Sequence, residues 1–225
     1  MDKTKKLIIV GSSGFAEIAH EYFDADSEYE VLAFSVERDY LEIEELHGLP
    51  VIPFEDLESQ FDPATHEVYV AATYTQLNRL RARLSSAAKA KGYRLASYIS
   101  SRAFVWRNVE MGEHCFIFED NTVQPFVKVG NNVVLWSGNH IGHHSVIRDN
   151  CFISSHVCIS GFCDIGENSF IGVNATLANN ITIGNDNWIG PHIVIMRDTE
   201  SGTLYKTEHP DSARVSTTRF FKIKE

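Results

Sequence analysis

The chain has 225 residues, of which 44% are hydrophobic, 11% aromatic and 22% charged, a composition ordinary for a globular protein of one or two domains. It carries 20 Lys and Arg against 30 Asp and Glu, a formal net charge of −10, and its basic residues form no cluster that would bind a phosphate backbone, so nucleic acid is excluded as an expected partner. No apolar run reaches the roughly 20 residues of a membrane helix, and the first residues lack a signal-peptide cleavage pattern, so we expect a cytoplasmic protein.

The first hundred residues predict alternating strands and helices. A buried strand over 6–10 leads into the turn Gly11-Ser12-Ser13-Gly14 and then into a helix over 15–23. Further strands are predicted over 31–36, 49–53, 67–72 and 93–98, and a second long helix over 75–91. This order predicts a small parallel sheet with helices on its faces, an α/β Rossmann-like half-domain.

From residue 105 onward the pattern changes to a period of six residues. Sixteen successive aliphatic residues keep this spacing: Val105, Met111, Ile117, Val123, Val129, Leu135, Ile141, Ile147, Ile153, Ile159, Ile165, Ile171, Leu177, Ile183, Ile189 and Ile195. One six-residue unit cannot bury its aliphatic side chain alone, but stacked coils of such units bury a continuous column. The pattern therefore predicts an all-β solenoid of short parallel strands.

These repeats resemble those of the hexapeptide-repeat acyltransferases. The N-terminal segments IIVGSSGFAEIAHEYF and GLPVIPFEDL resemble the members that N-acetylate bacillosamine-type sugars or O-acetylate sialic acid, and the resemblance covers all but about the last two dozen residues. It implies a nucleotide-sugar-binding domain over 1–100, a left-handed parallel β-helix over 101–200 and a tail, 201–225, packing outside the prism. It also implies a homotrimer with active sites between neighbouring prisms.

Acyl transfer from a thioester to an amine needs a base, a donor to the oxyanion and a channel for the pantetheine arm. The family places its catalytic histidine third in a six-residue unit, a place that His143 occupies after Ile141 and Gly142. It places an oxyanion-binding N–H eighteen residues later, at Gly161. The resemblance thus implies His143 as general base, Gly161 as oxyanion donor, and Gly161 with Asn179 as coenzyme A contacts.

The group that orients His143 departs from the family pattern. Many relatives have a carboxylate directly after the catalytic histidine, whereas this chain has His144. Asn139, a backbone carbonyl or a group of a neighbouring subunit are the alternatives, because the second ring nitrogen of a working histidine normally has a partner. His140, His144 and His156 are interpreted as surface or interface residues.

With only two glycines, the first β-α turn by itself could be merely a tight turn. Joined to a β-helix acyltransferase, it resembles the pocket for the nucleotide of a nucleotide-linked sugar. Backbone N–H groups at a helix N-terminus can hold a diphosphate, which points to Gly11, Ser12, Ser13, Gly14 and Phe15 as substrate contacts. Relatives often carry paired aspartates that contact the base at the end of the second strand, where this chain has Ser35 and Glu37 as the nearest substitutes. The resemblance therefore implies Ser35 and Glu37 as further substrate contacts.

The resemblance therefore implies an N-acyltransferase that moves an acetyl group from acetyl-CoA, without a metal, to the amine of a nucleotide-linked amino-deoxy sugar in glycan biosynthesis. Sugar O-acetylation is the close alternative. A zinc enzyme like the γ-carbonic anhydrases is disfavoured because the position of its second histidine is Arg148, a permanent cation. A non-catalytic scaffold is the remaining alternative.

Four cysteines, none in a CxxC pair, predict packing rather than a disulfide or zinc framework. Trp136 and Trp188 are each next to an inward-facing aliphatic residue and are expected to face outward from the prism. They are interpreted as trimer contacts or as a lid on the coenzyme.

Overall fold

The computed structural model describes residues 2–208 and 210–223. Its N-terminal part contains six strands and three helices: Lys5–Val10 (β1), Gly14–Asp26 (α1), Tyr29–Val36 (β2), Glu45–Leu46 (β3), Leu49–Pro53 (β4), Leu57–Gln60 (α2), His66–Val70 (β5), Arg79–Ala90 (α3) and Arg94–Leu95 (β6). The sheet order is β3-β4-β2-β1-β5-β6, parallel except for the β3–β4 pair. The predicted α/β half-domain is confirmed.

The two long helices cover opposite faces of this sheet. Phe15 and Phe23 of α1 are buried with Ile9 of the central strand, and Leu84 and Ala88 of α3 are buried with Val68. Each apolar helix face thereby removes its side chains from water, which stabilises the domain by roughly 1.5–3 kcal/mol per large side chain.

Residues 98–205 wind into a triangular prism of two-residue strands. The docked face, against the N-terminal domain, contains Tyr98–Ile99, Phe116–Ile117, Val134–Leu135, Phe152–Ile153, Phe170–Ile171, Trp188–Ile189 and Leu204–Tyr205. The open face contains Phe104–Val105, Thr122–Val123, His140–Ile141, Cys158–Ile159, Thr176–Leu177 and Val194–Ile195. The charged face contains Glu110–Met111, Lys128–Val129, Val146–Ile147, Asp164–Ile165 and Thr182–Ile183.

The predicted left-handed β-helix is confirmed, and its interior is the aliphatic column. From Ile117 to Ile195 these side chains are at most 6% exposed. Each corner from residue 114 to 192 turns on one residue in the left-handed region, for example Asn132 with φ 57° and Phe162 with φ 60°. Asn and Asp tolerate that conformation well, which explains their recurrence at the corners.

Aromatic residues join the two domains. Phe15 packs against Phe116 and Trp136, with ring centroids 5.7 and 5.4 Å apart. Trp188 stacks on Phe170 at 4.0 Å. Both tryptophans therefore face outward from the prism, where they contact aromatic residues of this chain at the docked face.

The strands depart from the predicted segment boundaries at both ends of the prism. Tyr98–Ile99 pair with Phe116–Ile117, so the first prism strand lies before residue 101. Leu204–Tyr205, expected in a tail outside the prism, pair with Trp188–Ile189 and extend the docked face. Beyond them only a short exposed helix, Thr217–Phe220 (α4), is formed within the described residues.

Three of the four cysteines (Cys115, Cys151 and Cys163) are buried in the prism, and all four are free thiols. Burial raises the pKa of the Cys115 and Cys151 thiols to about 12. Within the described ranges, the helices are all too short or too polar to cross a bilayer.

Candidate active site

His143 lies at the corner between the open and charged faces, which we call the far corner (residues 124–127, 142–145, 160–163 and 178–181). Its ring lies directly over Gly161 of the next coil. A Cβ atom at Gly161 would lie 2.9 Å from His143 Cε1 and 3.0 Å from Nε2. Only glycine leaves room for the ring in this position, so the structure brings together the two residues predicted to be catalytic.

The backbone N–H of Gly161 has no acceptor among the described residues, whereas its neighbours are paired. The Phe162 N–H donates to the His143 carbonyl at 2.9 Å, and the Ser160 N–H donates to the Leu177 carbonyl at 3.1 Å. An unpaired N–H beside an imidazole is the arrangement that binds a developing oxyanion next to a base.

His144, which the sequence analysis interpreted as a surface or interface residue, contacts the His143 ring. The two Nδ1 atoms are 3.1 Å apart. The His144 ring is stacked between Phe126 at 4.6 Å and Phe162 at 4.8 Å, the corner residues of the coils before and after it. Gln124 Oε1 accepts from the His143 N–H at 2.9 Å and fixes the backbone of the pair.

The other predicted contacts lie elsewhere on the prism. Asn139 is buried, and its side chain bonds the Val157 N–H and the Trp136 carbonyl, so it does not orient His143. Asn179 is exposed at the far corner, one coil beyond Gly161. His140 is exposed on the open face and His156 at the corner between the docked and open faces.

No three His, Cys, Asp or Glu side chains within residues 2–208 and 210–223 are grouped so that they could bind one metal ion. The far corner carries imidazole, amide and aromatic side chains.

The predicted nucleotide turn opens on a cavity of about 500 Å³ in the N-terminal domain. Gly11, Ser12 and Ser13 line one end of it. Gly11 has φ 132°, and a Cβ there would lie 2.9 Å from the Ala71 carbonyl oxygen, so this tight turn requires glycine. The turn delivers the chain to the N-terminus of α1, whose peptide N–H groups favour an anion.

Of the other predicted substrate contacts, only Glu37 lines this cavity. Its carboxylate binds the Arg83 guanidinium through both oxygens, at 2.7 and 2.8 Å, and that pairing lowers the pKa of Glu37. Ser35 is fully buried in the sheet, with its hydroxyl unpaired among the described residues, and Phe15 is buried between the domains. Gly14 is exposed as the first residue of α1, outside the cavity lining.

The cavity wall includes a strained segment that the sequence did not indicate. Gln76, Leu77 and Asn78 all have left-handed backbones, with φ of 53°, 50° and 68°. Three such residues in succession cost roughly 1–2 kcal/mol each. They are also the reason why α3 begins at Arg79 rather than at residue 75 as predicted.

Buried polar contacts hold that segment against the prism. Asn78 donates to the Asn168 and Ser169 carbonyls at 3.1 and 3.3 Å. Arg81 is fully buried, and its guanidinium donates to the Thr73 carbonyl at 2.8 Å and to Asn132 Oδ1 at 3.0 Å. Burial lowers the pKa of Arg81 to about 10, which leaves it a cation.

His114 extends the same network. Its Nε2 accepts from the Val70 N–H at 2.8 Å, so the proton is on Nδ1, 2.7 Å from Asn132 Oδ1. Burial lowers the pKa of His114 to about 3 and keeps it neutral. No periodic pattern in the sequence distinguishes Arg81 or His114 from exposed residues of the same types.

Within one chain the cavity and His143 lie on different sides of the prism. The N-terminal domain packs on the docked face, and the far corner is the one corner of the triangle formed without that face. The two candidate sites therefore cannot share one substrate within a single copy.

Comparison with known proteins agrees with this architecture. Residues 144–179 match the family model for bacterial transferase hexapeptide (six repeats). A search of curated proteins found no match.

Among solved structures, the acetyltransferase domain of PglB from Neisseria gonorrhoeae superposes with a TM-score of 0.80 at 24% identity, over 89% of this chain and 96% of that one. A mutant of perosamine N-acetyltransferase from Caulobacter crescentus, in complex with CoA and GDP-perosamine, gives 0.79 at 24% identity, over 88% and 92%. WeeI from Acinetobacter baumannii gives 0.68 at 21% identity, over 89% and 96%. At these identities the likeness establishes a shared fold.

Proposed function

We propose that this protein is an acetyl-CoA-dependent N-acetyltransferase that acylates the amine of a nucleotide-linked amino-deoxy sugar. The observation that carries the proposal is the His143 ring lying on Gly161, whose N–H is free of any acceptor in the described chain. Support comes from the matched structures, two of which are named as an acetyltransferase domain and a perosamine N-acetyltransferase bound to CoA and a nucleotide sugar.

In the proposed reaction the neutral sugar amine attacks the thioester carbonyl carbon. A C–N bond forms while His143 takes one amine proton, and the oxyanion accepts a hydrogen bond from the Gly161 N–H. Collapse of the tetrahedral intermediate breaks the C–S bond. The departing thiolate takes the proton back from His143, so the base is restored.

The sugar nucleotide is assigned to the cavity of the N-terminal domain. The diphosphate would be held by Gly11, Ser12 and Ser13 at the start of α1. The base end would lie near Tyr40 and the Glu37–Arg83 pair, which line the same cavity. Asn179, one coil beyond Gly161, is proposed to contact the coenzyme along the far corner.

A neighbouring copy is proposed to bring the two halves of the site together in a homotrimer. The outward residues of the open face include no Asp, Glu, Lys or Arg from Phe104 to Met196. Several are large and exposed, including Phe104 at 54%, Val194 at 58% and Met196 at 71%. A flat uncharged face next to the far corner favours contact with a second prism.

Acetyl-CoA and nucleotide sugars are made in the cytoplasm, and we place the enzyme there. Its product, a nucleotide-linked acetamido sugar, is the kind of donor that glycosyltransferases consume in surface-glycan assembly.

The test is thiol release from acetyl-CoA with a panel of nucleotide-linked amino sugars, including GDP-perosamine, and matched nucleotide sugars that carry only hydroxyl groups. We expect turnover with at least one amine and none with the hydroxyl series. His143→Asn should lower kcat by roughly 100- to 10,000-fold while coenzyme affinity and melting temperature stay within error.

Near-normal turnover by His143→Asn would remove His143 as the base. Turnover confined to hydroxyl acceptors would convert the assignment to O-acetylation. A protein that acetyl-CoA fails to stabilise thermally at saturating concentration would be the scaffold, since a ligand at 100 times its Kd should add about 2.7 kcal/mol.

A further inference from the structure

We infer that His144 is a positioning residue that fixes the tautomer of His143, and this inference rests on the proposed function. The His143 and His144 rings contact each other, His143 lies on Gly161, and Phe126 and Phe162 pack against the pair. His143 Nδ1 faces His144 Nδ1 at 3.1 Å, so one nitrogen must donate and the other accept.

Catalysis decides the direction of this hydrogen bond. For His143 to take a proton on Nε2, its own proton must be on Nδ1, where it is donated to the unprotonated Nδ1 of His144. The proton of His144 is then on Nε2. When His143 accepts the amine proton, the Nδ1–H···Nδ1 bond is retained and is strengthened by the positive charge.

The stack of aromatic rings explains how His144, although exposed, can keep a fixed orientation toward His143. Phe126, His144 and Phe162 hold left-handed backbones of 66°, 59° and 60°, so their side chains project in register from three successive coils. Contact with an aromatic ring on each side restricts the rotation of the His144 ring. This locks the acceptor nitrogen toward His143.

Residues at the equivalent corner positions of other coils suggest matched variants of His144. His144→Phe keeps the stack and removes the nitrogen, and the neighbouring corners already accept phenylalanine. His144→Asn loses the ring but puts an amide oxygen near the place of Nδ1, and Asn180 shows that asparagine fits this corner. His192→Phe, at an exposed left-handed corner beside the docked face, is the control for an added aromatic.

We expect His144→Phe to lower kcat about 10- to 100-fold, less than loss of the base itself, with both KM values within about threefold. His144→Asn should recover most of that loss. His144→Glu should remain active, with the acid limb of its pH profile moved to higher pH, because a carboxylate stabilises the imidazolium. His192→Phe should match the parent protein.

A readout without catalysis separates this inference from the proposed function. In ¹⁵N-histidine-labelled protein, His143 should show the Nδ1–H tautomer, and His144→Phe should shift it toward the Nε2–H form that free histidine prefers. Equal loss of activity in His144→Phe and His144→Asn, or an unchanged His143 tautomer in His144→Phe, would overturn the inference. Absence of any acetyl transfer by the parent protein, with the tautomer as expected, would overturn the proposed function alone.

Discussion

Two corners of the same prism have the same backbone and opposite chemistry. The near corner, between the charged and docked faces, turns on His114, Asn132 and Asn150 with φ of 59°, 57° and 62°. The far corner turns on Phe126, His144 and Phe162 with φ of 66°, 59° and 60°. The near-corner side chains are buried or half-buried against the N-terminal domain, whereas those of the far corner are exposed.

This difference shows that the six-residue period determines where a side chain projects and leaves open what it does there. A histidine at the near corner is fully buried and neutral, with both nitrogens engaged. A histidine at the far corner stands in the open between two aromatic rings. The same position in the repeat therefore stabilises the domain interface on one side and supplies candidate catalytic groups on the other.

Breaking the near-corner network is expected to cause a large loss of stability. Arg81→Met leaves carbonyl acceptors of both domains without a donor, among them the backbone carbonyls of Thr73 and Asn132. Each buried unsatisfied group costs about 1–3 kcal/mol, so we expect the free energy of unfolding to fall by about 3 kcal/mol. Urea denaturation at fixed protein concentration measures it.

Arg148→Met is the matched control. Arg148 also makes two charge-assisted bonds, to Asp164 at 2.8 and 2.7 Å, but its side chain is 50% exposed on the charged face. Such pairs contribute less than about 1 kcal/mol. Equal losses in the two variants would show that burial is not what makes Arg81 matter.

The second prediction concerns the stability of the protein at acidic pH. The His114 pKa is about 3 in the folded protein against an ordinary value of 6.5, so the folded state excludes a proton that the unfolded state accepts. The contribution of neutral His114 to the free energy of unfolding is complete above pH 6.5 and is lost as the pH falls toward 3. The loss approaches about 1.4 kcal/mol per pH unit.

His114→Gln removes this slope, whatever its absolute stability, because glutamine does not titrate. The two proteins are compared by urea denaturation from pH 7 to 4.5, above the range in which most carboxylates titrate. Parallel curves would mean that His114 is accessible to protons in the folded state.

The comparison also explains which features the sequence could predict. The aliphatic column was visible because each of its side chains repeats every six residues and faces inward, so every coil imposes the same requirement. The glycine turn at Gly11 was visible because a strand leading directly into a helix needs such a turn. Both signals are local.

The interface residues depend on contacts between distant segments and carry no local signal. Arg81 lies within an ordinary helical sequence, and its partner Asn132 looks like any other corner asparagine. Ser35 was predicted to contact the base, but the register of β2 places it inside the sheet. The role of His144 depends on Phe126 and Phe162, eighteen residues to either side, a relation that the repeat length could have revealed.

The smallest expected change in stability tests the far corner. The Phe162 ring is 52% exposed, and Asn180 occupies the same corner position one coil later. Phe162→Asn should therefore change the free energy of unfolding by less than about 1 kcal/mol. Phe152 on the docked face is only 3% exposed, and Phe152→Asn should cost about 3 kcal/mol or more.

Measuring the activity of Phe162→Asn should show whether the far corner affects catalysis without affecting stability. Without Phe162 the His144 ring is stacked on one side only, so its nitrogen spends less time aimed at His143, and we expect kcat to fall about threefold at nearly unchanged stability. A rate equal to that of the parent protein would mean that Phe126 alone holds the ring. A loss of stability like that of Phe152→Asn would mean that the far corner is buried in the assembled protein.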